Sequence, residues 1–400
     1  MTSLGGWAES AGSDELPQSL VFKIPAQSTA VQKRIQTESS VSGSSTYSPS
    51  GQRVIRFPLT DAVSWIQPDS AFLKFTLRND TASDIVLAAP VYSLFSTMRV
   101  FCSGQPVESL EEFSKTTAMV KQFVPERPMD ELFSLKKGDT ISANSSVEVG
   151  IPLGSGASGF WSSPLLFPLR YSSIVLELTL VANGADALTT GTAFTIENPQ
   201  LAVQKCELDE DTENSVPSHL MSGKTLPFHF KTYFTTTQAV TTTNTVSLGI
   251  SRSISRLAAV WLTYTETNDK PTYFPNPGST LELSVRVGSV NYPDRPLTNL
   301  RDMAYSTLAG LGLLKPGNAL HIPQITKAEY VGTSNDSAAF IVRISMEKAD
   351  EGFILTGESS LSTGALVTIN MKNASCQTAT AHLEYSTLLE VSSSGCQILE

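Results

Sequence analysis

Three observations predict an all-β chain built as two tandem antiparallel sandwiches. Apolar and polar residues alternate with period 2 through one segment after another, the pattern of strands with one face in a core. A strand-turn-helix pattern occurs twice, about 190 residues apart, which is the spacing of a duplicated domain and not of a short-repeat solenoid. The composition of the 400 residues, 40% hydrophobic and only 16% charged, is globular and poor in the long charged helix formers. One helical segment per half is too few for βαβ winding, so the sheets are expected to be antiparallel.

Residues 1–50 read as a separate flexible N-terminal arm. The run Ser39 to Gly51, SSVSGSSTYSPSG, holds too little apolar surface to offset the entropy of ordering. Two readings stand side by side: a disordered leader, or an arm that orders on a neighbouring subunit through Val21-Phe22-Lys23-Ile24-Pro25. Lys23, Lys33 and Arg34 face four acidic residues, which does not suit a polybasic RNA-binding arm.

The first sandwich is expected over 51–222. In AFLKFTLR, Leu73, Phe75 and Leu77 point one way and Lys74, Thr76 and Arg78 the other. Tyr92 to Val124 reads as a strand over Met98 to Cys102, a turn at Ser103-Gly104-Gln105-Pro106, and an amphipathic helix with Leu110, Phe113, Val120 and Phe123 on one face. In SSIVLELTL, Ile174, Leu176, Leu178 and Leu180 oppose Val175, Glu177 and Thr179. The boundary is placed at Met221 to Pro227, where Gly223 and Pro227 interrupt the pattern.

The second sandwich is expected over 223–400. LELSVRV, FIVRISM and LVTINMK alternate in the same way, through Leu283 and Val285, Val342 and Ile344, and Ile369 and Met371. After Val287-Gly288-Ser289 comes a Pro-rich turn, then a helix carrying Leu297, Leu300, Ala304, Tyr305 and Leu308. The halves superpose in order: Ser70 to Leu77 on Ser255 to Leu262, SIVLELTL on ALVTINMK, and Glu197 to Leu208 on Glu384 to Ser394.

Charge and motifs restrict the chemistry. A formal charge of −10 is the reverse of what neutralising phosphates requires, so sequence-specific nucleic-acid binding is not expected. Cys102, Cys206, Cys376 and Cys396 show neither a disulfide framework nor zinc spacing and are expected to be reduced and buried. No apolar run approaches the roughly 20 residues of a membrane span, and the N-terminus lacks the features of a signal peptide. Intracellular synthesis follows, with the sequons at Asn79, Asn144, Asn335 and Asn373 read as chance matches.

Gly154 to Gly159 matches the dinucleotide pattern G-x-G-x-x-G, but Phe160-Trp161-Ser162-Ser163-Pro164 cannot open the helix such a site needs, so a surface loop is expected. His219, His229, His321 and His382 have no metal-site spacing, and His229 reads as a strand residue with a hydrogen-bonded or solvent-facing ring. Glu207, Asp209, Glu210 and Asp211 could hold a cation through carboxylates but lack the form of a calcium loop, and read as a solvated interdomain loop. No Ser or Cys nucleophile has a recognisable setting. The expectation is therefore no enzyme, no catalytic, cofactor-binding or metal residues, and no cofactor. A glycosidase would need a pair of inward carboxylates, and Glu177 and Glu282 sit unpaired on polar strand faces. A two-domain carbohydrate-binding or adhesion protein is the alternative reading, with Trp65, Trp161 and Trp261 as candidate platforms, though Trp65 and Trp261 sit in strand-like contexts that favour burial.

Four segments carry a resemblance. SLFSTMRVFCSGQPVESLEEFSK resembles the "small-LF-x-R-x-x-V-x-x-x-G-x-x-V-E-x-I-x-x-Y/F" stretch of the major capsid proteins of Polinton-like viruses and related small double-stranded DNA viruses. LMSGKTLPFHFKTYFTTTQAV resembles their "L-x-S-G-K-x-L-P" interdomain segment, SRSISRLAAVWLTYT the strand opening their second domain, and FPLRYSSIVLELTL the strand pair closing the first. The match runs in order from about Val54 to the C-terminus. The resemblance implies a double jelly roll, two eight-stranded sandwiches with about one short helix each, in the lineage shared with PRD1 and adenovirus. It implies homotrimers of hexagonal outline that tile an icosahedral virion shell around double-stranded DNA, assembled inside the host cell. It also implies a single-jelly-roll penton protein and minor capsid proteins as partners. An internal membrane under the shell is left open.

Overall fold

The computed structural model describes residues 31–61, 64–123, 134–240, 245–266, 270–314, 325–332, 338–348, 357–361, 366–393 and 395–399. Val21 to Pro25, His321 and Asn335 lie outside the described residues.

The first half contains β1 (Val31–Ser40), β2 (Val54–Leu59), β3 (Trp65–Arg78), β4 (Phe95–Cys102), β5 (Gln105–Leu110), β6 (Ser146–Pro152), β7 (Ile174–Leu180) and β8 (Thr195–Leu208). One sheet runs β1-β8-β3-β6 and faces a second, β2-β7-β4-β5. The second half contains β9 (Leu226–Ala239), β10 (Thr245–Ile250), β11 (Leu257–Thr265), β12 (Glu282–Val287), β13 (Val290–Leu297), β14 (Val342–Ser345), β15 (Val367–Lys372) and β16 (Thr378–Ser392). Its sheets run β9-β16-β11-β14 and β10-β15-β12-β13. Both halves therefore use one permutation, first-eighth-third-sixth over second-seventh-fourth-fifth, with every pairing antiparallel. That interleaving is a jelly roll, present twice. A last strand, β17 (Gly395–Leu399), adds to β16.

Each sandwich closes over its own core, as the alternation requires. Phe57, Leu73, Phe75, Val100, Leu176 and Leu178 fill the first, and Leu248, Val260, Leu283, Val285, Ile369 and Leu383 the second.

Three boundaries differ from the sequence reading, and all three involve edge strands. The first sandwich starts at Val31, not at residue 51: β1 pairs with β8 from Val31↔Leu208 to Ser40↔Gln200, and Tyr47 is buried. An edge strand has one neighbour and needs little apolar content. β1 is held by backbone bonds and by ion pairs of Lys33 with Glu207 (3.2 Å) and of Glu38 with Lys74, so it leaves no period-2 signal. Likewise Leu110 belongs to β5 and Leu297 to β13, not to helices. Ser103 (φ 48°) and Gly104 (φ 83°) make a two-residue turn that sends β5 straight back along β4, and Gly288 (φ 59°) does the same before β13. Pro106, Pro293 and Pro296 are tolerated because β5 and β13 are edges. The helices begin later, α1 at Phe113–Lys121 and, after the short α2 at Gly159–Ser162 and α3 at Glu210–Met221, α4 at Leu300–Gly310. Tyr305 points outward, 64% exposed, and not into a core.

The acidic cluster is also corrected. It is not a loop: Asp209 precedes α3 and accepts from Gln32 (3.0 Å), and Glu210 begins the helix, where carboxylates suit the positive end of the dipole. Pro217 within α3 hides the helix from sequence reading. Val216 and Leu220 pack α3 onto Trp65 and Cys206, and Glu213 accepts from the Trp65 indole (2.9 Å) and Arg170 (3.1 Å). Asn79 is fully buried and donates to the carbonyls of Ser83, Ile141 and Ser142, so it is a loop clamp and not a surface sequon.

Leu178 lies in the middle of β7, flanked by β2 and β4, while its neighbour Thr179 faces outward. Leu178→Ala is expected to cost about 3 kcal/mol of unfolding free energy and Thr179→Ala under about 1 kcal/mol, read from denaturant midpoints. Equal costs would contradict the facing of β7.

Candidate assembly surface

The two sandwiches meet along one seam, where the sheet β9-β16-β11-β14 is covered on its outer as well as its inner face. All nine residues of β11 are buried. Leu257, Val260, Leu262 and Tyr264 point into the second core, whereas Ala259 and Trp261 join the cluster of the first. β5, α1 and the loop around α2 supply the covering surface.

Trp261 is the centre of one end of the seam. Its ring lies 5.8 Å from Phe123 and 5.4 Å from the Arg343 guanidinium, and its indole N–H donates to Glu384 Oε2 (2.8 Å). Arg343 donates to the same oxygen from Nη2 (3.1 Å) and Nε (3.2 Å). Burial works against the Glu384 charge, but Arg343 and Lys231 outweigh it and hold the carboxyl below its usual range. Lys231 reaches Glu347 at 2.6 Å and Glu384 at 3.6 Å. A buried pair of this kind adds little net stability when intact, but losing one partner strands the other charge, so it specifies how the halves dock.

His382 and Glu108 are two further buried titratable groups at the seam. His382 Nδ1 bonds to Thr116 of α1 (3.1 Å) and Thr235 (3.0 Å), and Nε2 to Thr263 (3.2 Å). Burial, assisted by Lys115, pushes its pKa down to about 3, so the ring is neutral. Glu108 on β5 accepts from the Ser158 hydroxyl and from the Gly159 N–H (2.9 Å). Burial lifts its pKa to about 7, against those hydrogen bonds.

The glycine-rich loop lies in this seam and is not the surface loop its composition suggests. A Cβ on Gly159 would sit 1.5 Å from the Lys231 carbonyl oxygen of β9, and one on Gly154 would sit 2.7 Å from the Trp161 carbonyl. Gly159 permits backbone contact between the two sandwiches and Gly154 close packing within the first, not approach to a phosphate. Beside them Phe160 packs on Phe228 (5.3 Å) and Phe230 (5.9 Å) of β9, which ties the aromatic residues of both halves together.

The other sequence candidates do not converge. His219 and His229 are exposed, one on α3 and the other on β9. Glu177 is buried against Arg56 (2.7 Å) and Arg99 (3.7 Å), while Glu282 pairs with Lys372 (3.1 Å) on a different sheet. Trp65, Trp161 and Trp261 are all buried, so none offers a platform for a sugar. Among the described residues no three His, Cys, Asp or Glu side chains are grouped to hold a metal ion, and no helix is long and apolar enough to cross a membrane.

By contrast, two surfaces are open. The outer face of β1-β8-β3-β6 carries Lys74, Thr76 and Arg78 where β11 carries its covered residues, and Phe72 lies over Gly150 in a groove of about 510 Å³. On the second sandwich, α4 and the short α5 (Lys327–Val331) frame an apolar groove of about 500 Å³ lined by Leu300, Ala304, Leu308, Ile325, Tyr330 and Val331.

Glu108 and His382 act on stability with opposite sign. Glu108 binds its proton more tightly folded (about 7) than unfolded (4.5), so its contribution is full below about pH 4.5 and is lost as pH rises to about 7. His382 binds its proton less tightly folded (about 3) than unfolded (6.5), so its contribution is full above about pH 6.5 and is lost as pH falls toward 3. Between pH 4.5 and 6.5 the slopes oppose one another. Thermal melts of His382→Gln should show stability falling with rising pH relative to the parent over that interval, and those of Glu108→Gln should show it rising. Parallel profiles for all three proteins would refute both assignments.

No family model matches the chain, and no curated protein sequence matches it. Solved structures do. The chain is similar to a chain of the PBCV-1 virus capsid, with a TM-score of 0.63 at 10% identity over 95% of this chain and 99% of that one. It is similar to the Faustovirus major capsid protein, with a TM-score of 0.59 at 8% identity over 96% of each chain. It is also similar to a chain of the Sputnik virophage, with a TM-score of 0.58 at 8% identity over 97% of this chain and 92% of that one. At such identities the likeness is one of fold, and it spans both sandwiches and the seam: the chain has the double jelly roll of viral major capsid proteins.

Proposed function

We propose that this chain is a structural major capsid protein, forming pseudo-hexameric homotrimers that tile an icosahedral shell around double-stranded DNA. The observation that carries the reading is the near-complete, end-to-end match of the doubled sandwich to capsid proteins. The reading assigns the chain no catalytic, cofactor or metal residues and places it in the virion. A single-jelly-roll penton protein and minor capsid proteins would complete the shell. The motifs Ser93 to Lys115 and Leu220 to Val240 favour the Polinton-like branch. A charge of −10 suits a shell whose packaged duplex is neutralised by other components.

The difference between the two helices supports the partner. α1 is almost wholly buried because the second sandwich covers it, whereas its counterpart α4 leaves Leu300, Ala304 and Leu308 half-exposed. The face of β1-β8-β3-β6 is open in the same way. A second copy placing its α4 surface on that face would repeat the contact α1 makes within the chain, and three copies would close a ring of six sandwiches.

Light scattering after size exclusion should give about three times 43.0 kDa, with hexagonal particles in negative stain. Ala304→Arg, on the rim of the α4 groove, should leave the circular dichroism unchanged and reduce the mass to that of one chain. A parent protein that stays monomeric at high concentration would sink the capsid reading. A trimeric Ala304→Arg would move the interface elsewhere.

A further inference from the structure

Cys102 and Cys396 are separated by 294 positions, and the fold brings them together. Cys102 ends β4 of the first sandwich, and Cys396 lies on β17, the strand that pairs with β16 of the second sandwich and packs Cys396 and Ile398 against the first core. The contact is made twice along the backbone. A Cβ on Gly395 would sit 3.9 Å from the Ser103 Cβ, and Cys396 Sγ is 3.1 Å from the Cys102 carbonyl oxygen. Cys102 Sγ lies 2.9 Å from Ser172 Oγ, which in turn lies 2.7 Å from Ser103 Oγ. Cys396 Sγ borders the same two hydroxyls and the Cys102 thiol.

We propose that Cys102 and Cys396 form a dithiol site which low-molecular-weight disulfides such as glutathione disulfide convert to an intrachain disulfide, fastening the C-terminal strand to the first sandwich. The pocket suits both forms of Cys396. As a thiol it donates to the Cys102 carbonyl, and as a thiolate it accepts from the Cys102 thiol and the two serine hydroxyls. Those hydrogen bonds, Cys102 first, outweigh burial and draw the Cys396 pKa down to about 6. Cys102 shifts the other way, chiefly through its bond to Cys396 and through burial, and keeps its proton. The half-buried Cys396 is thus the attacking thiolate and the fully buried Cys102 the resolving thiol.

The exchange balances. Cys396 thiolate attacks one sulfur of glutathione disulfide, whose S–S bond breaks and releases one glutathione thiolate. Cys102 then loses its proton to water and attacks the mixed disulfide at Cys396. The Cys102–Cys396 bond forms and a second glutathione thiolate leaves. Two protein thiols are oxidised and one glutathione disulfide is reduced to two glutathiones.

The test uses the full chain, reduced, freed of reductant, incubated with glutathione disulfide, alkylated with iodoacetamide and digested. The expected result is a Cys102–Cys396 linked peptide lighter by two hydrogens than the sum of its parts, with Cys206 and Cys376 still alkylated. The oxidised protein should melt several degrees higher and revert with dithiothreitol. Cys396→Ser should abolish both effects and Cys376→Ser neither. Independently of any variant, the alkylation rate of Cys396 should rise with pH around a midpoint below the ordinary thiol range. Stable glutathionylation of Cys396 with Cys102 unreacted would overturn the proposal. So would linkage between chains, or a Cys396 midpoint in the ordinary thiol range.

Discussion

A β-sheet buried on both faces is the constraint on which the rest of this molecule depends. β9-β16-β11-β14 must offer one apolar face to its own sandwich and a second to its neighbour, so β11 has no solvent side at all. Such a sheet cannot be presented alone to water without exposing Trp261, Ala259, Phe228 and Phe230, all of which belong to the first core. The two sandwiches are therefore one cooperative body, although each is closed topologically. The polar groups on that second face follow from its position. Arg343, Glu384 and His382 are cut off from water, so each has its partners supplied by the other strands of the sheet, by α1 or by α4. A slip in how the halves dock would leave a charge or a ring nitrogen unpaired, and the penalty for that exceeds the benefit of any single contact.

What could be read from the sequence were strands with one wet face. β3, β7, β12 and β15 alternate cleanly because one side of each meets a core and the other meets water or half-exposed neighbours. The duplication was legible for the same reason, since matching strands occupy matching places in both sheets. Edge strands were not. β1 is written in charged and hydroxylic residues, and β5 and β13 carry prolines that argue against a strand wherever both neighbours must be satisfied. Reading β5 as the start of a helix came from Leu110, whose spacing to Phe113 fits a helical face but whose side chain belongs to a strand.

The seam was hidden for a different reason. Its chemistry depends on which segments become neighbours, and no local pattern encodes that. Gly154 to Gly159 looked like a loop because small residues usually mark one, yet Gly159 serves a backbone approach across the seam to the Lys231 carbonyl. His382 sits in a strand of hydroxylic residues with nothing nearby in sequence to partner it, and its partners come from α1, β9 and β11. The one available signal was the nine-residue run of β11 without alternation, Leu257 to Thr265, which is what a strand covered on both sides looks like. Recognised as such, it would have pointed to the seam.

The duplicated fold also limits how copies of the chain can associate. The contact within the chain is heterologous: the α1 side of one sandwich meets the sheet face of the next, and the two surfaces differ. A heterologous contact leaves one unused surface of each kind at the ends of the pair, and here these are the face of β1-β8-β3-β6 and the α4 groove. Repetition of such a contact must either close into a ring or continue as an open filament. The two sheet faces have diverged in a way that bears on this choice. Within the chain the covered face sets Trp261, Phe228 and Phe230 beside an enclosed Arg343–Glu384 pair, whereas the open face surrounds Phe72 with Lys74, Glu38, Arg78 and Glu197 in contact with water. A surface with a small apolar centre and a charged rim can stay soluble in a single chain and still be buried between chains. Gene duplication followed by that divergence would separate the permanent contact within the chain from the contact of the proposed trimer.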